Sequence, residues 1–310
     1  AIFNSCSIRQ KAEDRVLGKI HELINSKNKK KIIALTGCMV RKTSSKNSPK
    51  DKRDKLLNKV KNLDITFRIE ELEKLNLLLG QKIKHENIDY EYFKIKPKYS
   101  SKFQAFIPIS TGCDKFCTYC IVPYSRGREI SRPMGDILEE AKELINNGCK
   151  EITLLGQTVD SYGLSPIDRK NKLFNYESID SGKEPPPFVQ LLKEIDKIGT
   201  KKNLRLRFTS PHPKDVSQEL IESFGILKTL MPHIHLPVQS GDNVCLKRMN
   251  RPYTRERYLE IIKGLRKARP DIAITTDIIV GFCGETEKEF MNSYKLYKEA
   301  NFDFAFISRY

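Results

Sequence analysis

Residues 103–120 read FQAFIPISTGCDKFCTYC, and this stretch decides the fold expected for the longer part of the chain. Its first half is apolar at every second position, as on one face of a β-strand: Phe103, Ala105, Ile107 and Ile109. Its second half passes through Ser110-Thr111-Gly112 and then holds three cysteines, Cys113, Cys117 and Cys120. A polar, cysteine-rich loop directly after a strand predicts a cofactor site at the carboxyl end of that strand.

The spacing of these three cysteines indicates an iron–sulfur cluster. Three thiolates in one tight loop reach three corners of a cubane [4Fe–4S] cluster, and the run offers no fourth cysteine nearby. One iron is then open to a ligand from outside the protein. A structural zinc would need four protein ligands, and this spacing is unusual for a zinc knuckle. We therefore predict that Cys113, Cys117 and Cys120 hold a [4Fe–4S] cluster.

Strands and helices alternate from residue 103 to the end of the chain. Further strands are predicted at 151–155, 204–208, 233–238, 272–281 and 302–308. Helices are predicted near 136–147 and 216–224, at 254–268 and 287–299, and around the stripe of Leu191, Leu192, Ile195 and Ile198. This alternation implies a parallel sheet, and right-handed crossovers favour a barrel-like or doubly wound form. A partial barrel of six strand–helix units is one solution.

The first part of the chain reads as a separate, smaller α/β domain. A helix at 10–24, a buried strand at 32–35 and helical segments at 56–60 and 70–79 are predicted there. A loop is predicted at 40–53, a connector at 90–101 and a second irregular region at 160–187. We expect an α/β protein with domains at 1–95 and 96–310.

Charge and cysteine usage restrict the class of protein. The formal net charge of +17 indicates a polyanionic partner such as nucleic acid, although a lysine-rich solvated surface is also typical of an AT-rich genome. The eight cysteines are not spaced as a secreted disulfide framework, which favours a reducing compartment, the cytoplasm. No apolar run reaches 18 residues, so no membrane-spanning helix is expected. Because the chain begins at Ala1 and ends inside a predicted strand, we expect a fragment truncated at both ends.

The run Cys113-x-x-x-Cys117-x-x-Cys120 after a first strand resembles the radical S-adenosylmethionine superfamily. The resemblance implies that the open iron binds the amino and carboxylate groups of S-adenosylmethionine, whose reductive cleavage releases a 5′-deoxyadenosyl radical. It also implies a partial (β/α)6 barrel. Tyr119 occupies the aromatic position that members of the superfamily place near the adenine, with ordinary loop packing as the alternative.

The segments that close the predicted strands resemble the methylthiotransferase family within that superfamily, and they lie at 121–133, 153–159, 205–213, 235–241 and 277–286. Polar residues and glycines recur in them, as a cofactor site requires. The resemblance favours Gly156, Gln157, Arg205, Arg207 and Gln239 as cofactor-binding residues. Arg126, Arg205 and Arg207 are candidates to bind carboxylate, ribose or phosphate groups, with salt bridges as the alternative.

Cys6 and Cys38 each lie near the end of an N-terminal strand. Two lone cysteines by themselves are more typical of buried structural thiols. The family resemblance instead implies an auxiliary [4Fe–4S] cluster, of which Cys6 and Cys38 would be the second and third ligands. Its first ligand would lie upstream of Ala1. Cys149 and Cys245 are interpreted as a core residue and a neutral loop residue, and Cys283 stands where the family usually has proline.

The resemblance implies a transferase that uses S-adenosylmethionine and two [4Fe–4S] clusters. Three substrates are possible within the family: N6-isopentenyladenosine in tRNA, N6-threonylcarbamoyladenosine in tRNA, and an aspartate of a ribosomal protein. The run at 126–133 most resembles the isopentenyladenosine branch. The expected partners are a tRNA anticodon stem-loop and an electron donor such as flavodoxin or ferredoxin, and a monomer is expected. A non-catalytic iron–sulfur RNA-binding module is the alternative of a different class.

Overall fold

A computed structural model describes residues 1–5, 10–25, 32–40, 63–75, 93, 97–165 and 185–310. The chain forms two compact units. The first contains Ala1–Pro97 together with Gly112–Glu129, and the second contains Lys98–Thr111 together with Ile130–Tyr310. The cysteine loop therefore belongs, by its contacts, to the first unit, while the strands on either side of it belong to the second. The predicted domain boundary at 95/96 stays a prediction.

The first unit is built on a parallel sheet in the order β1-β2-β3, with β1 at Ile2–Ser5, β2 at Ala34–Gly37 and β3 at Ile65–Thr66. Helix α1 spans Gln10–Asn25, one residue longer than predicted, and buries Ile20 against the sheet residue Leu35. Helix α2, at Val122–Arg126, was not predicted. Residues 69–74 form a 3₁₀ helix that overlaps the first part of the segment predicted as helical at 70–79. The helix predicted at 56–60 lies outside the described residues, as does most of the predicted loop at 40–53.

Six parallel strands of the second unit follow one another in chain order. They form two three-stranded ladders, β4 (Gln104–Pro108), β7 (Glu151–Leu155) and β8 (Arg205–Phe208), and then β9 (His233–His235), β10 (Ala273–Val280) and β11 (Phe304–Arg309). A parallel bridge between Leu206 and Leu230 joins the two ladders. The strand order never reverses, as it would in a doubly wound sheet, so the predicted partial barrel is confirmed.

Helices connect these strands: α3 at Met134–Asn146, α4 at Pro187–Gly199, α5 at Gln218–Ile226, α6 at Asn243–Arg248, α7 at Arg255–Ala268 and α8 at Glu287–Ala300. The predicted helices agree to within a few residues. Helix α6 was missed, and Cys245 lies inside it and is fully buried rather than in a loop. The reason is the Asp242 carboxylate, which accepts hydrogen bonds from the N–H groups of Val244 and Cys245 and so begins a short helix.

One face of the second unit's sheet forms the core with the helices. Apolar strand residues such as Ile107, Leu154 and Ile274 pack there against Ile137 and Tyr258 of the helices. Phe103 precedes β4 and is 71% exposed, so it does not share the buried face predicted for it. Among the helices of the described ranges, none has both the length and the apolar character that crossing a bilayer requires.

An antiparallel pair, β5 (Ser110–Thr111) and β6 (Ile130–Ser131), lies where the cysteine loop leaves the second unit and returns to it. Gly112 follows β5 at a φ of 74°, a conformation that L-residues with a side chain rarely adopt. A Cβ atom at this position would overlap the carbonyl oxygen of Arg128. Gly112 thus lets the two ends of the loop approach each other closely.

We expect Gly112→Ala to lower the free energy of unfolding by more than about 1 kcal/mol, because the backbone conformation and the Arg128 carbonyl both oppose a methyl group. Gly135→Ala is the matched control, since Gly135 lies in α3 with nothing within 4 Å of the added Cβ. It should leave stability unchanged or raise it by up to about 1 kcal/mol. Denaturant unfolding of both variants measures the difference, and equal stability would contradict the prediction.

Candidate iron–sulfur and cofactor site

The cysteine loop is closed by backbone hydrogen bonds. The N–H of Cys113 donates to the Gly127 carbonyl at 3.1 Å, and the N–H of Cys120 donates to the Cys117 carbonyl at 2.9 Å. Cys113 is buried, whereas Cys117 and Cys120 are half-buried, and all three thiols are free of disulfides. One short loop therefore presents three sulfur atoms that can bind iron.

An aromatic and charged cover lies along the same loop. Phe116, at a φ of 50°, packs edge-to-face with Tyr124 at a centroid distance of 6.2 Å. The Arg128 guanidinium lies 5.3 Å from the centre of the Phe116 ring and 3.2 Å from the Asp114 carboxylate. Tyr119, the predicted adenine neighbour, is half-buried. These contacts restrict the orientations of the side chains along the loop, although Tyr124 and Arg128 are exposed.

Cys38 lies directly after β2 in the same unit and is buried. Its N–H donates to the carbonyl of Ser5, the last residue of β1, at 2.9 Å. The Nε of Arg126 in α2 lies 3.5 Å from the Cys38 sulfur, as a hydrogen-bond donor to it. Arg126 was expected to bind a carboxylate, ribose or phosphate, and the contact with sulfur was not foreseen. Cys6, the other predicted auxiliary ligand, lies outside the described residues.

Buried hydroxyl groups precede both cysteine segments. Thr36 lies two residues before Cys38, and Ser110 and Thr111 lie just before Gly112. Within the described part of the chain, the side-chain oxygens of these three residues are buried and have no hydrogen-bond partner. Because buried polar groups are normally paired, each of these hydroxyls is suited to a hydrogen bond with a polar ligand. The three thiols of the loop, which form no disulfide, fit an iron–sulfur cluster.

In the described ranges, no three His, Cys, Asp or Glu side chains converge on a single metal ion. A mononuclear zinc site would require such convergence. The cysteines that hold a cubane cluster bind different irons and do not need to meet at one point.

In the second unit, three predicted cofactor residues lie at carboxyl ends of strands. Gly156 follows β7, and a Cβ atom there would lie 2.5 Å from the Ser110 hydroxyl, so glycine permits a close approach. Gln157 is its half-buried neighbour. Gln239 follows β9 at a φ of 68°, and its N–H donates to the Asp277 carbonyl at 2.8 Å. These residues share one edge of the sheet, and their role in binding a cofactor stays a prediction.

Arg205 and Arg207 make a different contact. Both donate through Nε to the same oxygen of Glu151, each at 3.2 Å. Glu151 and Arg205 are the first residues of β7 and β8, so this ion-pair group lies toward the amino ends of the strands. Burial acts to raise the pKa of Glu151, but hydrogen bonds and charge from Arg207 and Arg205 outweigh it and lower that pKa. The salt-bridge alternative therefore describes their observed contacts, and their cofactor role stays a prediction.

The loops after β7 and β8 are joined by a buried carboxylate. Both oxygens of Asp160 accept a hydrogen bond from the backbone N–H of His212, at 2.9 Å. The His212 ring packs edge-to-face on Tyr253, whose hydroxyl donates to the Val238 carbonyl at 2.8 Å. This network fixes three successive strand-end loops. Nothing in the sequence pattern around Asp160 predicted it, because the partners are 52 residues apart.

Two other cysteines are core residues. Burial raises the pKa of the Cys149 and Cys245 thiols, which keeps them protonated and poor iron ligands. Cys149 was interpreted as a core residue and is buried. Cys283 is exposed in the loop after β10.

Comparison with known families agrees with this fold and this loop. The family model described as "Radical SAM superfamily" matches residues 107–297, which is more than half of the chain. The model described as "Uncharacterized protein family UPF0004" matches residues 1–58. The chain therefore belongs to the radical S-adenosylmethionine superfamily.

Similarity to curated proteins indicates which family within the superfamily the chain resembles. The chain is 40% identical over its whole length to a protein of Protochlamydia amoebophila, covering 65% of that protein, and 40% identical to one of Thermoanaerobacter sp., covering 62%. Each is named tRNA-2-methylthio-N(6)-dimethylallyladenosine synthase, as is a Clostridium botulinum protein at 41% identity. The predicted resemblance to the methylthiotransferase family is confirmed. The chain spans less than two thirds of the length of these relatives.

Solved structures support the fold alone. The structure titled as the radical S-adenosylmethionine methyltransferase TsrM from Kitasatospora setae, with tryptophan substrate and a SAM analog, has a TM-score of 0.62 at 12% identity. The match covers 99% of this chain and 61% of that one. The cobalamin-dependent S-adenosylmethionine radical enzyme OxsB has a TM-score of 0.60 at 15% identity, over 95% of this chain and 42% of that one.

We expect Glu151→Gln to lower the free energy of unfolding by about 1 kcal/mol at neutral pH, because two guanidinium groups lose their carboxylate. The pKa of Glu151 is lowered in the folded chain, so its stabilisation is present above the ordinary carboxyl pKa. It is lost as the pH falls through the lowered value. Unfolding midpoints of the variant and wild type should therefore converge in acid. The exposed Glu139→Gln is the control, and a pH-independent difference would contradict the assignment.

Proposed function

We propose that this chain is the catalytic part of a tRNA methylthiotransferase that modifies C2 of N6-isopentenyladenosine next to the anticodon. The observation that carries the proposal is the 40% identity, over the whole chain, to relatives named for this product, in which dimethylallyl denotes the isopentenyl group. The three-cysteine loop supports it, because radical chemistry is suited to replacing an unreactive C–H bond. The reaction is a transfer, so the protein is assigned as a transferase.

Two groups of cysteines would hold two [4Fe–4S] clusters. Cys113, Cys117 and Cys120 would hold the one that binds S-adenosylmethionine, and Cys6 and Cys38 would be ligands of the auxiliary one. When bound, the first cluster with S-adenosylmethionine supplies the radical that removes hydrogen from C2, and the second supplies sulfur. Tyr119, Gly156, Gln157, Gln239, Arg205 and Arg207 are the proposed cofactor-binding residues.

The chain's own residues would prepare this site in two ways. The Arg128 guanidinium, paired with Asp114, lies over the Phe116 ring and restricts its orientation on the cysteine loop. The Arg126 Nε–H donates to the Cys38 sulfur, and hydrogen bonds to a ligating sulfur raise the reduction potential of a cluster. Arg126 is thus a positioning residue for the auxiliary site in this proposal.

The partner classes follow from the same proposal. A formal net charge of +17 suits phosphate contacts along a tRNA anticodon stem-loop, which position an RNA without specifying its sequence. An unpaired anticodon-loop base is the kind of target that proteins recognise in single-stranded RNA. A flavodoxin or ferredoxin in the cytoplasm would supply electrons, and we propose that the protein acts as a monomer.

Cys113→Ala, Cys117→Ala and Cys120→Ala should each abolish the formation of 5′-deoxyadenosine from S-adenosylmethionine after anaerobic reconstitution and reduction. Each should also lose the iron of one [4Fe–4S] cluster, because a cubane held by two thiolates is unstable. Cys283→Ala is the matched control, since Cys283 is an exposed cysteine outside the loop. Iron analysis and product chromatography measure both effects. A loop variant that cleaves S-adenosylmethionine at the wild-type rate would contradict the assignment.

The substrate is tested by mass spectrometry of tRNA nucleosides from a strain that lacks the gene. N6-isopentenyladenosine should accumulate without its methylthio group, while derivatives of threonylcarbamoyladenosine remain unchanged. The reverse result would assign the other tRNA substrate. In vitro, tRNA that lacks the isopentenyl group should be a poor substrate, and equal modification of both tRNAs would refute the choice.

A further inference from the structure

The second unit's sheet has one face that the helices do not cover, here called the open face. It carries every second strand residue, including Glu151, Arg207, His233, His235, Asp277 and Phe306, which are half-buried or exposed. Pairing in register places Asp277 of β10 directly beside Phe306 of β11, so both side chains point to the same side. The proposed function does not assign a role to these two residues.

A chain of hydrogen bonds crosses the open face and ends on Asp277. His233 Nε2 lies 3.3 Å from the Thr275 hydroxyl, which lies 2.9 Å from His235 Nδ1. His235 Nε2 lies 3.2 Å from Oδ2 of Asp277. One arrangement of protons satisfies all three contacts: each Nε2 carries a hydrogen, and the threonine hydroxyl donates to His235 Nδ1.

These hydrogen bonds fix the Asp277 carboxylate through only one of its two oxygens. Oδ2 is held by His235, and within the described residues Oδ1 has no hydrogen-bond donor. The Asp277 side chain is 38% exposed. The open face therefore presents a preoriented acceptor oxygen to whatever approaches the sheet.

Phe306 lies beside this acceptor and is 52% exposed. The His235 ring packs against it edge-to-face at 5.8 Å, and the Phe304 ring does so at 4.8 Å. Two neighbouring rings thus restrict the orientation of Phe306 while leaving half of its surface open. An exposed aromatic ring held in this way is suited to stacking against a planar ligand.

We propose that Asp277 and Phe306 form a subsite for a purine base of RNA that carries an exocyclic N–H. The base would stack on Phe306 and donate its N–H to Oδ1 of Asp277. A phosphate group is disfavoured here, because the carboxylate would repel it. The inference deepens the proposed function, on which it rests, by naming the residues that would select the target base.

The test uses two fluorescent RNA stem-loops that differ at one unpaired adenosine. One carries N6-methyladenosine, which keeps one N–H, and the other carries N6,N6-dimethyladenosine, which has none. Fluorescence anisotropy with the reconstituted wild-type chain should show roughly tenfold tighter binding of the first RNA, as expected for a hydrogen bond to a charged group. This comparison needs no protein variant, so it does not depend on a variant's folding.

Asp277→Ala should abolish the preference between the two RNAs. Phe306→Leu should weaken binding of both RNAs by roughly five- to a hundredfold while keeping the preference, and Phe306→Tyr should restore the affinity. Phe103→Leu is the matched control, because it removes an exposed phenylalanine that lies outside the open face. Equal binding of the two RNAs by wild type, or an intact preference in Asp277→Ala, would overturn the proposal.

Methylthiolated product and 5′-deoxyadenosine, measured in parallel, separate this inference from the proposed function. If the base preference depends on Asp277 but no methylthiolated product forms, the subsite stands and the proposed function fails. If product forms at the wild-type rate in Asp277→Ala and no base preference exists, the subsite fails and the proposed function stands.

Discussion

The alternation of side chains along parallel strands is the constraint on which the second unit depends. Residues 274, 276 and 278 of β10 point into the helix-covered core, so residues 275, 277 and 279 must point to the other side. The same division holds in β8, where Leu206 and Phe208 are buried and Arg205 and Arg207 are not. Helices pack against only one face of the sheet. The other face carries polar side chains that hydrogen-bond to one another.

The cysteine loop obeys a second constraint, the close approach of its two ends. Gly112 and the β5–β6 pair bring residues 111 and 130 together. The 18 residues between them therefore form a closed loop that begins and ends in the second unit. Within that loop, α2 places Arg126 in hydrogen-bond contact with the sulfur of Cys38, which lies 88 residues earlier in the chain. A substitution in α2 would thus affect the environment of Cys38, although the two are remote in sequence.

Sequence patterns predicted those structural features that depend on residues close together in the sequence. The bounds of β7 matched residue for residue, because Glu151–Leu155 is a short apolar run that follows the glycine ending α3. Helix α6 and Cys245 were misassigned, because the signal was a single capping aspartate ahead of six residues. The ion pairs of Arg205 and Arg207 with Glu151 depend on strand register, which the sequence does not display. The alternation in β11 would have placed Phe306 on the open face. The role proposed for Phe306 also depends on Asp277, which lies beside it on the neighbouring strand.

Preorganisation distinguishes the open face from an ordinary charged surface. Burial and the positive charge of Arg207 lower the pKa of His233, which favours its neutral form. Because the Asp277 carboxylate only accepts, His235 Nε2 donates to it; a neutral His235 then accepts from Thr275 at Nδ1, and Thr275 accepts from His233 Nε2. Asp277 is then oriented by residues on a neighbouring strand rather than by solvent. An acceptor that is fixed before a ligand arrives loses less conformational entropy on binding, which is how one carboxylate oxygen would favour the purine N–H that we propose it binds.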